Sequence, residues 1–152
     1  MFDLKKYSNT LQIKKINQII KCNEITSNYG IILSEDDAKQ LTTIQQNTLQ
    51  EVGLIEFDSH IIEYIIITFC DSSFINKYDY LDTISRLVEI FYYYRQEVNE
   101  LISDEDIIKY LYLAYEGITQ GSLDYLGDQQ LSKLIDDLNN HLDIFDELEY
   151  GN

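Results

Sequence analysis

The side chains able to do chemistry are few in type: two histidines, two cysteines, and 27 acidic residues set against 11 basic ones. His60 and Glu63 form an H-x-x-E pair, a spacing that puts both on one face of a helix, as a metal centre would require. A di-iron carboxylate bundle needs paired E-x-x-H motifs and further glutamates. The sequence has no E-x-x-H, and His141 follows Asn139 and Asn140 instead of a carboxylate. The spacing therefore predicts a helix-start histidine beside a surface carboxylate, with no metal ligand and no cofactor. For nucleophilic chemistry there is no G-x-S-x-G elbow, and Gly121-Ser122 has the wrong flanks for one. Cys70 and His60 stand about 15 Å apart if one helix joins them, too far for a thiol and its base. Acid–base catalysis by two carboxylates needs a located pair, and 27 acids single none out. The six glycines are dispersed and make no phosphate loop. Thr119-Gln120-Gly121-Ser122 reads as a turn between helices, with Ser122 as a cap, in preference to an anion site. No catalytic residue is expected.

Aromatic residues offer a different chemistry, that of contact. Tyr92, Tyr93, Tyr94 and Arg95 are consecutive, and Tyr and Arg are enriched at binding hot spots. Tyr94 and Phe91 fall on an apolar seam and are expected in the core. Tyr92 and Tyr93 are displaced from it, so at least one should face outward or meet another helix. Tyr110 and Tyr112 flank the next apolar stripe in the same way. The candidate partner surface is thus Tyr92, Tyr93, Arg95, Tyr110 and Tyr112.

The elements that must position these residues read as helices. Over Thr10 to Cys22, Ile13, Ile16, Ile19 and Ile20 share a face with Lys14, Lys15 and Lys21 opposite, and SNYG closes the element at Gly30. Ser34 can cap the next helix, whose first turn holds three acids; Ala38, Leu41, Ile44, Leu49 and Val52 share its face, and Gly53 ends it. After a short extended piece, Leu54 to Phe57, comes HIIEYIIITFC. Its periodicity does not separate buried helix from buried strand, and helix is preferred because a lone strand would leave its backbone unpaired. Tyr80, Ile84, Leu87, Phe91, Tyr94, Val98 and Leu101 alternate in steps of four and three, a seam widened by Leu81, Val88 and Ile102. Ser103 opens a stripe of Ile107, Ile108, Leu111, Ala114, Tyr115 and Ile118. Ser122 caps a short turn to Leu126, and a last helix carries Leu131, Leu134, Ile135, Leu138, Leu142 and Phe145. The expected fold is all-α, a single domain over residues 1–152 built as a bundle of about six helices, with residues 1–9 and 149–152 frayed.

The 152 residues are 45% hydrophobic and 25% charged, a globular composition, and the net charge of −16 excludes direct nucleic-acid binding, which wants a basic footprint. That charge is segregated: residues 1–33 carry +3 and the rest −19. A basic amphipathic first helix could bind an anionic membrane, but docking of its isoleucines on the bundle is the simpler reading. No secretory leader and no transmembrane segment is read, which places the protein in the cytoplasm, with Cys22 and Cys70 as reduced core thiols. With 23 Ile, 13 Tyr, 10 Asn, 9 Lys and only 2 Arg, the usage follows A/T-rich codons, so β-propensity is discounted in favour of periodicity.

Five stretches in order, NYGIILSEDDAKQL, FCDSSFI, IFYYYRQE, LISDEDIIKYL and YEGITQGSLDYL, resemble an uncharacterised family of low-GC Gram-positive bacteria, a domain of unknown function, over roughly residues 10–138. The resemblance implies a bacterial cytosolic helical domain and no particular reaction. The functional expectation is a non-enzymatic helical protein acting through protein–protein contacts, as an adaptor, a regulatory subunit or a homo-oligomer. The alternatives are an acidic decoy for a basic nucleic-acid-handling protein, whose binding would weaken steeply with salt, and a carboxylate-based enzyme.

Overall fold

The computed structural model describes residues 4–56, 59–146 and 148, with side chains from Thr10 onward. Regular structure among these residues is helical throughout: α1 (Leu4–Lys21), α2 (Asn23–Thr26), a 3-10 turn (Ser27–Tyr29), α3 (Glu35–Val52), α4 (Ile61–Phe69), α5 (Tyr80–Val98), α6 (Asp104–Glu116), α7 (Leu123–Gly127) and α8 (Gln129–Asn139). Six of these have nine residues or more, which is the expected all-α bundle. The helix starts follow the sequence chemistry. Ser34 Oγ accepts from the Asp37 amide while the Asp37 carboxylate accepts from the Ser34 amide, a full capping box. Ser103 and Ser122 cap α6 and α7 through the amides of Asp106 and Tyr125.

α5 is the hub of the bundle and packs against α3, α4, α6, α7 and α8. Its seam is wider than the a/d positions alone, since Tyr92 and Val88 are as fully buried as Ile84, Leu87, Phe91, Tyr94 and Val98. The ambiguous segment 61–69 is the helix α4, with Ile62, Ile65, Ile66 and Phe69 turned into the core. Each such fully buried side chain contributes about 1.5–3 kcal/mol of transfer free energy. α1 docks on α3 and α4 through Ile16 and Ile19. It begins at Leu4, before the expected Thr10; of the fraying expected at 1–9 and 149–152, residues 4–9 are helical and 1–3 and 149–152 lie outside the described residues.

Four apolar residues assigned to helix faces are exposed instead. Ile13 sits on the solvent side of α1, and Leu101 and Ile118 fall beyond the ends of α5 and α6. The last helix is also shorter than its apolar pattern. It stops at Asn139 because His141 takes a left-handed φ of 57°, the Leu142 amide bonds the Asp137 carbonyl at 2.9 Å, and the His141 amide bonds that of Leu138 at 3.2 Å. Leu142 is consequently exposed, and Ile144 and Leu148 supply the buried contacts beyond it. The turn after α6 runs through Gln120 and Gly121, both with positive φ. At Gly121 a Cβ would lie 2.8 Å from that of Phe74, so only glycine fits against this ring.

Candidate functional site

The five residues singled out for contact do not form one surface. Tyr92 and Tyr110 are buried, with hydroxyls engaged inside the protein; Tyr112 and Arg95 are half-buried; Tyr93 is 37% exposed. Tyr92 and Tyr110 are therefore removed from the exposed candidates. The displaced position of Tyr92 on α5 is covered because α3 packs along that flank. Tyr112, on α6, donates to Asp71 at 3.0 Å and stacks edge-on to Phe69; burial and that carboxylate push its hydroxyl up to about 12.

Most of the buried tyrosines serve as polar-tipped pins between elements. Tyr80 donates to the Ile66 carbonyl at 2.9 Å and Tyr94 to that of Leu126 at 2.6 Å, and burial raises the pKa of both hydroxyls far above the ordinary range. Tyr92 belongs to a longer chain. Lys15 Nζ donates to Gln45 Oε1 at 2.7 Å, and Gln45 Nε2 donates to Tyr92 Oη at 2.8 Å. Tyr92 Oη in turn donates to Glu56 Oε2 at 2.7 Å, and Arg95 Nη1 grips Glu56 Oε1 at 2.9 Å. Arg95 Nε also lies 3.5 Å from Asp104 at the start of α6. Burial lowers the Arg95 pKa, and the Glu56 hydrogen bond and the two carboxylates outweigh it, so the net shift is upward. This network ties α1, α3, the loop before α4, α5 and α6 together. The residues that sequence reasoning missed here are Gln45 and Glu56. Gln45 did leave a signal, an amide in the middle of the Ala38, Leu41, Leu49, Val52 stripe.

The nucleophile candidates are quiet. Cys22 and Cys70 are buried free thiols. Burial is the largest cause that pushes Cys22 up to about 11, and it also raises Cys70, the opposite of a reactive thiolate. His60 Nδ1 pairs with Glu63 Oε2 at 2.9 Å, at the mouth of a cleft of about 290 Å³ that also touches Cys22, Ile25 and Ile67. α4 separates His60 from Cys70. Among the described residues, no three His, Cys, Asp or Glu side chains converge as a metal site requires. The segment Thr119–Ser122 is a turn into the short α7, with Ser122 as its cap.

A second concavity of about 420 Å³ lies where α3, α5 and α7 meet. Ile44 and Leu123, both half-buried, supply its apolar part. Asp82, Ser85, Arg86 and Glu89 supply the polar part from one face of α5, at the i, i+3, i+4 and i+7 positions. Arg86 Nη2 bonds Asp124 Oδ1 at 3.2 Å. One helical turn beyond Glu89 on the same flank, Tyr93 donates to Glu51 of α3 at 2.8 Å, a bond that raises its own pKa. The arrangement can hold an apolar side chain beside a cation; among its lining residues there is no thiol, imidazole or buried carboxylate pair for covalent or acid–base work.

Residues 18–143 match the model of a family of unknown function, DUF6323. No curated protein and no solved structure matches the chain. No described helix is long and apolar enough to cross a membrane.

Proposed function

The chain belongs to the family of unknown function DUF6323, and on that premise we propose that it is a non-enzymatic helical protein of the bacterial cytosol that works through protein–protein contact. The host suggested by the resemblance and by the codon-driven composition is an AT-rich, low-GC Gram-positive bacterium. The observation that carries the reading is the α3–α5–α7 face. It is concave, part apolar and part acidic, and bordered by Tyr93, the most exposed of the five aromatic and arginine candidates. Supporting it, the tyrosines and thiol of unusual pKa are spent on internal packing, and burial raises their values, away from those of a reactive thiolate or phenolate. Tyr93 belongs to the contact; Tyr92, Tyr110 and Arg95 act behind it by fixing α5 and its neighbours. An adaptor, a regulatory subunit or an acidic decoy would all use such a face.

The test is Ile44→Asp. Ile44 is half-buried in the groove, so the change alters the face while the helical circular dichroism should persist. In gradient sedimentation of native-host lysate, the wild-type protein should migrate in a species larger than its 17.9 kDa monomer, and the variant should shift to the monomer position. A wild-type protein that sediments as a monomer would contradict protein contact as its function.

A further inference from the structure

We propose that the α3–α5–α7 groove docks a basic amphipathic segment of a partner protein, with a lysine or arginine of that segment seated between Asp82 and Glu89 against the Ser85 hydroxyl. The inference rests on the protein-contact reading and adds the chemistry of the partner. Ser85 is only 6% exposed, it lines the groove, and its Oγ is buried with no hydrogen-bond partner. A buried hydroxyl without a partner is a standing cost in the free protein, and a turn of the Ser85 side chain about χ1 toward the groove it lines would let a donor arriving from outside remove it. The charge around it selects the donor. Asp82 and Glu89 form no ion pair among the described residues, while Arg86, the one cation of the lining, is engaged by Asp124. An ammonium or guanidinium placed there meets two carboxylates and a hydroxyl, and an anionic group would meet net repulsion. Ile44 and Leu123 decide between a free polyamine and a peptide. Their apolar surface lies beside the carboxylates, so full use of the groove needs an apolar side chain near the cation, as an amphipathic helix provides at i and i+3 or i+4.

The experiment uses the full chain and a fluorescein-labelled amphipathic Leu/Lys peptide, read by anisotropy at low salt, with spermine as competitor. Asp82→Asn combined with Glu89→Gln should weaken peptide binding about tenfold, and Ser85→Ala about fivefold. Ser85→Ala should at the same time raise the thermal midpoint of the free protein, which a merely structural serine would not combine with weaker binding. The control pair Asp136→Asn and Asp137→Asn on α8 should bind as the wild type does, and spermine should compete poorly. Equal weakening by the control pair, no weakening by the groove pair, spermine competing as well as unlabelled peptide, or no binding by the wild type would each overturn the groove assignment. Such failures stay separate from the failure of protein contact itself, because sedimentation of the native species reads the latter without any peptide.

Discussion

Two buried glutamines each donate an amide hydrogen to a tyrosine hydroxyl, and the two sides of α5 use that pair differently. Gln45 between α3 and α5 is satisfied at both ends, by Lys15 and by Tyr92, and Tyr92 continues to Glu56 and Arg95. Gln130 of α8 donates to Tyr110 of α6 at 2.7 Å, but its Oε1 is buried with no partner. A complete polar network fixes register and orientation, whereas a partial one is mainly a desolvation cost. The difference locates the rigid platform of the molecule. The α3–α5 pair is joined by hydrogen bonds toward the C-terminal ends of both helices, Gln45 to Tyr92, Tyr93 to Glu51 and Gln96 to the Val52 carbonyl, and this pair presents the proposed contact face.

The largest effect should come from alkali, which attacks buried neutral groups, three of them tyrosines of α5 and one the thiol between α1 and α2. The Cys22 thiol is raised from 9.0 to about 11, and Tyr80, Tyr92 and Tyr94 are raised from 10.0. A raised folded-state pKa stabilises fully below the unfolded value and is lost as pH climbs through the folded one. Thermal midpoints should therefore hold near neutrality and fall progressively from about pH 9 upward. Thiol reactivity and the tyrosinate absorbance of the buried tyrosines, read above that of exposed ones such as Tyr29 and Tyr78, should rise together with loss of helical circular dichroism. Free ionisation of these groups in a folded protein at pH 10 would break the assignment of their burial.

Gln45→Leu against Gln130→Leu tests the comparison itself. The first removes hydrogen bonds to both Lys15 and Tyr92 and should cost about 1–3 kcal/mol in urea unfolding; the second also removes an unpaired carbonyl and should change stability by less than about 1 kcal/mol. Equal losses would mean that the two pairs are equivalent. Ser85→Ala, which deletes another unpaired buried oxygen, should stabilise the free protein by about 1 kcal/mol. The smallest expected effect is at the end of α8. There His141→Gly relieves a left-handed residue and should add about 0.5–1 kcal/mol, visible as a small rise in the urea midpoint.

Much of the fold was legible because it rests on local chemistry. The serine caps at Ser34, Ser103 and Ser122 and the four-three seam of α5 are each fixed by neighbours in sequence. The end of α8 was not legible, since an apolar pattern continues to Leu142 while the backbone turns at a histidine, a residue that tolerates positive φ without announcing it. The candidate surface was legible only in part. Periodicity places Tyr92 off the seam of one helix, but which flank of α5 is covered depends on α3 packing there, a non-local fact. Glu56 and Ser85 carried no sequence signal, because one acid among 27 and one serine on a helix look like solvated surface until their surroundings are known.

The most direct test of the account is a photoreactive amino acid placed in the native host at Thr83, which lines the α3–α5–α7 groove, and in parallel at Ile67, on the cleft between α4 and the end of α1. The account predicts one discrete crosslinked partner from Thr83, lost when Asp82→Asn and Glu89→Gln are added, and no such product from Ile67. A discrete partner captured from Ile67 with none from Thr83 would contradict it.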